Sequence, residues 1–198
     1  MTRFLEESHY IDFNNEEITN LANELFDESM TDIEKAKAAY YYVRDEIPHS
    51  FDCNATVITA KASDVLKYRT GICHAKANLL AALLRREGIP TGFYFQYRTL
   101  AEDDEFGFCV HGLNAVYLEG RWILLDARGN KKGVEAEFSL DEPKFAFPAR
   151  EEFGEFDWQG IFAEPDKEIM QMLEEATDIQ YIMDHIPDTL STKPDINM

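Results

Sequence analysis

The stretch ICHAKANLLAALLRRE, residues 72–87, constrains the fold more than any other part of the sequence. Ile72, Ala75, Leu79, Ala82 and Leu83 recur at helical spacing, and Ala77, Leu80 and Leu84 widen the apolar arc until it nearly surrounds the axis. A helix with so little polar surface has to lie at the centre of a domain, covered on most sides. Gly88 and Pro90 end it in the order that helix C-termini favour.

After Pro90 the period changes from helical to alternating. Residues 91–99, 109–118 and 121–127 are rich in aromatic and β-branched residues and are separated by polar or glycine-bearing turns, which predicts antiparallel strands. Ahead of the central helix, Ile18, Leu21, Ala22, Leu25 and Phe26 predict a helix from Asn15 to about Met30. Thr31-Asp32-Ile33-Glu34 matches a capping box and opens a second helix, with the stripe Ile33, Ala36, Tyr40, Val43 and Ile47, that Pro48 closes. Residues 49–62 read as irregular, and Ser63 is placed to cap a short helical turn, Asp64 to Tyr68. Helices first and strands second imply an α+β fold with segregated layers. Residues 129–164 lack a sustained period, and Ile169, Met172, Leu173, Ala176, Ile179 and Met183 predict one last amphipathic helix from Pro165 onward. The expected organisation is a single domain over residues 1–186, with a core at 32–128, flanks at 1–31 and 129–186, and a loose tail at 187–198.

The chain has 198 residues, 45% of them hydrophobic, enough to bury a core and exclude wholesale disorder. Nineteen Lys plus Arg against 38 Asp plus Glu give a formal net charge of −19, which argues against nucleic-acid and anionic-membrane partners. The acidity is uneven: residues 1–35 carry −8, residues 36–134 carry +2 and residues 135–198 carry −13. Acidic flanks are thus expected to wrap a nearly neutral core. No apolar run is long enough to span a membrane, and the first ten residues lack a signal pattern. Three cysteines, Cys53, Cys73 and Cys109, are an odd number without CxxC spacing, which fits a reducing cytoplasm and leaves the sequon at Asn54 without meaning.

Chemistry concentrates at Thr70-Gly71-Ile72-Cys73-His74-Ala75. A cysteine in the first turn of a buried helix lies near the positive end of the helix dipole and near unpaired N–H groups, both of which favour thiolate. Gly71 would let a substrate approach the sulfur, and the Cys73 amide could donate to a developing oxyanion. Without a partner, Cys73 would be only a small buried hydrophobe. A catalytic thiol needs a base, and the base needs an orienting group. If Glu119-Gly120 is a two-residue hairpin loop, Leu118 pairs with Arg121, Leu113 faces Asp126 and His111 faces Arg128. His111, Leu113, Ala115, Tyr117, Trp122, Leu124 and Asp126 then share one face, with His111 and Asp126 diagonal neighbours about 7–8 Å apart at the backbone. Arg128 is the competing partner for Asp126.

Gly71-Ile72-Cys73, the run Ala75 to Arg85 with Gly88-Ile89-Pro90, His111, Tyr117 to Trp122 and Leu125-Asp126-Ala127 together resemble the transglutaminase-like core of the papain-like cysteine enzymes. The resemblance covers about residues 70–128. It implies Cys73 as nucleophile, His111 as general base and then acid, and Asp126 as the group that orients the imidazole, acting on an amide bond through a thioester. Water as second nucleophile gives a protease or amidase, and an amine gives a transglutaminase. The alternative is a catalytically silent binding or scaffold protein that keeps the fold. Two departures stand out. The residue pair after the family's histidine commonly includes a tryptophan, whereas this chain reads His111-Gly112-Leu113. A second oxyanion donor upstream of the nucleophile is His49 or Asn54 by position alone.

His74 points about 100° around the helix from Cys73 and reads as packing or local polarity. Cys109 lies two residues before His111, on its face. Cys53, Cys73, Cys109 and His111 lack the short ligand spacing of zinc sites, so no metal is expected. Nucleotide-binding glycine motifs and HExxH are absent, so no cofactor is expected either. The acid run Glu102-Asp103-Asp104-Glu105 reads as a solvated loop beside the site. The expected partner is a peptide or small amide substrate.

Overall fold

The computed structural model describes residues 1–100 and 105–197, so the acid run lies outside the described residues except for Glu105. Helix α1 spans Glu16–Leu25, with the Asn15 side chain accepting from the Glu17 N–H. It stops short of Met30 because Phe26 is extended and the Asp27 carboxylate instead accepts from the N–H and hydroxyl of Ser29, closing a local turn. Helix α2, Asp32–Tyr41, opens with the expected capping box: Thr31 Oγ1 accepts from the Glu34 N–H at 3.3 Å, and Glu34 Oε2 accepts from the Thr31 N–H at 2.8 Å. Thr31→Ala removes half of that box and is expected to cost about 1 kcal/mol, a fall in Tm of roughly 2–4 °C in thermal unfolding.

The apolar stripe of α2 continues through a π-helical turn, Tyr42–Glu46, so that Ala36, Tyr40, Val43 and Ile47 are all fully buried. Helix α3 spans Ala62–Tyr68 with Lys61 at its N-cap. Ser63 is therefore not the cap; it lies in the first turn, where its N–H and hydroxyl both donate to the Asp12 carboxylate.

Helix α4, Cys73–Arg86, has every residue from Cys73 to Arg85 buried, as its apolar circumference requires. It packs on strands β1, Thr91–Thr99, and β2, Phe108–Leu118. Strand β3, Arg121–Leu125, pairs with β2 in the expected register, from Leu118 opposite Arg121 to Asn114 opposite Leu125. Glu119 and Gly120 both have positive φ, 50° and 81°, the backbone of a type I′ turn. A short β4, Phe156–Asp157, adds to the free edge of β1 from the segment whose sequence has no period, giving the antiparallel order β3-β2-β1-β4.

The architecture is α+β. Phe93, Phe95, Val116, Ile123 and Leu125 join the main core with α4, while Ala115, Trp122 and Leu124 point to the opposite face. There they meet Phe4 of the N-terminal 3-10 turn, Ile161 and Ala163. Both acidic flanks therefore do pack on the central segment. Buried Arg85 ties them to the end of α4, donating to the backbone oxygens of Glu6, Ala163 and Thr91.

The last amphipathic stretch is two helices rather than one: α5, Lys167–Glu175, and α6, Ile179–His185. Ala176 is extended, and the Asp178 side chain caps a new helix by accepting from the Tyr181 N–H. The segment after α6 is tied down and not loose. The Asp166 carboxylate accepts from the N–H groups of Ser191 and Thr192, Pro187 O accepts from the Val110 N–H, and Ile196 O accepts from the Ile161 N–H. Among the described residues no helix is long and apolar enough to cross a membrane.

Candidate active site

Cys73 is the first residue of α4, at 9% exposure, following Ile72 in extended conformation. Gly71, just before, is bridged to His49, and its O accepts from the Ser50 N–H at 3.1 Å. This clamp carries the turn at residue 49 against the start of the helix. A Cβ on Gly71 would lie 3.2 Å from Ala75 Cβ and 3.3 Å from Thr59 Oγ1, so the glycine serves close packing against α4, not substrate approach as the sequence suggested.

His49 and Asn54 part company in the structure. Asn54 is exposed in a turn at φ 50°, whereas His49 is buried with its Nε2 3.2 Å from the Cys73 amide, which donates to it. The amide that the sequence offered as an oxyanion donor is thus engaged. Burial holds the His49 pKa down, to about 4, so the ring is neutral near neutral pH and accepts through only one nitrogen. The Phe51 N–H reaches the other nitrogen, Nδ1, at 3.3 Å. The two contacts belong to different tautomers: accepting from the Cys73 amide places the ring proton on Nδ1, and accepting from Phe51 places it on Nε2, beside Cys73, and frees that amide.

His111, on β2, is brought toward the sulfur from the sheet side, close enough for the imidazole and the thiol to shift one another's ionisation. Its Nε2–H donates to Asp126 Oδ2 at 2.9 Å, which leaves Nδ1 for Cys73. Asp126 is the first residue beyond β3, whereas the alternation had kept it inside the strand. It is 1% exposed, and its carboxylate also accepts from the Arg128 N–H at 3.1 Å and the Ala146 N–H at 2.9 Å. The competing pair does not form: the Arg128 guanidinium binds Asp52.

The electrostatics follow from this packing. Burial by itself would raise the Cys73 thiol, but the charges of His74 and His111 and the hydrogen bonds from His111 and His49 outweigh it and hold the pKa well below the ordinary value. Burial likewise works against a charged His111, yet the Asp126 and Cys73 charges prevail and push it up, to about 10. Asp126 is lowered despite its burial, chiefly by the His111 charge. The favoured state is a thiolate facing an imidazolium.

Cys109 goes the other way, pushed up to about 12 by burial and then by the Cys73 charge, while Cys53 is exposed. Among the described residues no group of three His, Cys, Asp or Glu side chains is arranged to hold a metal. His74 packs on Phe95 and donates from Nε2 to Val110 O at 2.8 Å.

Two contributions were missed in the sequence. Lys76, one turn beyond Cys73, is fully buried and donates to the backbone oxygens of Ile47 at 2.6 Å and Arg128 at 2.8 Å, joining the segments that carry His49 and Asp126. Burial and the Arg128 charge lower its pKa to about 7. A lysine in an otherwise apolar helix was the available signal. Ala146 and Phe147, which lie against Asp126 and His111, carried none.

A cysteine at the N-terminus of a central helix, opposite a His–Asp pair on an antiparallel sheet, is the arrangement of the papain-like cysteine-enzyme fold. The model of the transglutaminase-like superfamily matches residues 19–127, and the chain belongs to that superfamily. A candidate cysteine protease from Cytophaga hutchinsonii superposes with a TM-score of 0.52 at 23% identity, over 64% of this chain and 41% of its own. The chain thus spans about two fifths of that protein, and the likeness is one of fold. A candidate protease from Parabacteroides distasonis ATCC 8503 (TM-score 0.42, 18% identity, 62% of this chain and 24% of its own) and a TGase (0.40, 17%, 74% and 37%) are more distant. No curated protein matches the chain.

Proposed function

We propose that the protein is a cysteine hydrolase or acyltransferase acting on an amide bond of a peptide or small amide. The observation that carries this reading is the buried His111–Asp126 hydrogen bond set against Cys73 at the start of α4, with the thiol lowered and the imidazole raised. The Cys73 thiolate attacks the amide carbonyl and forms a C–S bond. His111 then gives its proton to the departing nitrogen as the C–N bond breaks. Water or an amine attacks the thioester, His111 takes the incoming proton, and the thiolate leaves. Asp126 orients the imidazole throughout and stabilises its charged form. In the tautomer that accepts from Phe51, His49 carries its proton on Nε2 and is the side-chain donor to the oxyanion, with the Cys73 amide freed from Nε2 to join it. The thiolate–imidazolium pair persists from the depressed Cys73 pKa up toward about 10, so activity is expected across neutrality with an alkaline loss.

The test is to incubate the protein with a library of peptides and amides and follow intact mass. A thioester adduct on Cys73 that is absent in Cys73→Ala, with turnover to acid or to amine conjugate, is the expected result. Alkylation no faster at Cys73 than at Cys53 and Cys109, with no adduct from any amide, would overturn the reading.

A further inference from the structure

The region matched to the superfamily ends at residue 127, yet contacts at His111 and Asp126 come from beyond it. Phe147 lies edge-to-face on the His111 imidazole, with ring centroids 5.3 Å apart and planes at 85°. The residue before it donates its N–H to Asp126 Oδ2, the oxygen that also accepts from His111. On its other side Phe147 meets the Arg128 guanidinium, 5.5 Å from the ring centre, and Arg128 is itself held by Asp52. Buried Arg98 fixes the strap at two points, donating from Nε to Phe147 O at 2.9 Å and from Nη1 to Phe156 O at 2.8 Å. A half-buried aromatic whose backbone is anchored this firmly is held in place as a wall and does not merely fill a gap.

We propose that Phe147 is a positioning residue for His111: the strap beyond the superfamily region supplies the aromatic wall that keeps water from the His111–Asp126 hydrogen bond and fixes the plane of the imidazole toward Cys73. The proposal rests on the reading of Cys73 and His111 as nucleophile and base. A side chain at Gly112 would point at His74 on α4, so the ring against His111 comes from the strap. Low dielectric strengthens the attraction among Asp126, the imidazolium and the thiolate, and admitting water weakens it. The ionisable groups facing the pair are Asp126, His49 from the preceding turn, His74 from α4, Cys109 from β2 and Arg128 after β3. None of them is substituted when Phe147 is changed; Arg128 alone loses a ring contact and keeps its pair with Asp52.

The experiment measures the pH dependence of iodoacetamide alkylation at Cys73, by peptide mass, in the wild type, Phe147→Ala and Phe147→Tyr. Exposed Cys53 serves as internal reference. Phe147→Ala is expected to move the acid limb of the Cys73 profile up by about one pH unit or more, and Phe147→Tyr, which keeps the ring, to restore it. Phe147→Leu takes the place of alanine if the alanine variant does not fold. Variants that lower Tm but leave the Cys73 profile where it was would overturn the proposal, because a merely structural residue behaves that way. A wild-type Cys73 that titrates as an ordinary thiol would instead remove the functional reading beneath it, so the two failures are distinguishable.

Discussion

His111→Ala is expected to slow the reaction of Cys73 with a small disulfide about 100-fold at pH 5 and to quicken it roughly 5–15-fold near pH 8.5, where half of the variant thiol is ionised. Without the imidazolium the thiol returns at least to its ordinary pKa of about 8.5, so that at pH 5 only about 1 in 3,000 of the variant thiols is ionised. A more basic thiolate is intrinsically more nucleophilic, with a Brønsted slope of about 0.4–0.5, which recovers roughly 1–1.5 orders of magnitude. At pH 5 the loss of thiolate wins, and near pH 8.5 the gain in nucleophilicity does. The sign follows from the directions of the two groups: the Cys73 pKa is depressed and the His111 pKa is raised, so the pair enriches thiolate most where an isolated thiol is protonated. Stopped-flow rates at the two pH values check this. Equal slowing at both would mean that His111 acts on Cys73 through packing and not through charge.

Gly112→Ala is expected to cost about 3 kcal/mol, a fall in Tm of roughly 6–12 °C. A Cβ at this position would lie 2.3 Å from His74 Nδ1 and 2.7 Å from Cε1. The ring cannot give way cheaply, because it would surrender its bond to Val110 O and its place on Phe95. The double change His74→Ala with Gly112→Ala should therefore be more stable than Gly112→Ala alone, as expected for two residues in direct contact. Thermal unfolding of the three variants decides it; a double variant that loses the full sum of the single effects would show that the clash lies elsewhere. The same contact accounts for the glycine at 112: with His74 beside Cys73, only glycine fits opposite its ring.

The layout of α4 and the three long strands was legible because each is written in its own period. The pairing of His111 with Asp126 was legible for a sharper reason: Glu119-Gly120 permits one tight turn, and that turn sets the register of every residue on β2 and β3. What escaped was held by forces that leave no periodic trace. Helix α1 ends early through a two-residue Asp27–Ser29 turn, and α5 and α6 separate at one Asp cap. The chain after Pro187 is fastened mainly because the carboxylate of Asp166 collects backbone N–H groups. Strand β4 is only two residues long. At the site, choosing His49 over Asn54 needed the bridge to Gly71, and finding Phe147 needed the strap anchored by Arg98.

That strap also bears on how the protein is made. His49, Cys73, His111, Asp126 and Ala146 reach one another from five places along the chain, and Ala146 comes last. Contacts between distant segments have to overcome the entropy of closing the loops between them, so they form late compared with local helices. During synthesis α4 can already be coiled while the partners of its first residue are unmade, and for that interval Cys73 is an ordinary thiol. On the proposed reading, whatever reactivity Cys73 draws from His111 and Asp126 therefore arises only once residue 146 is in place.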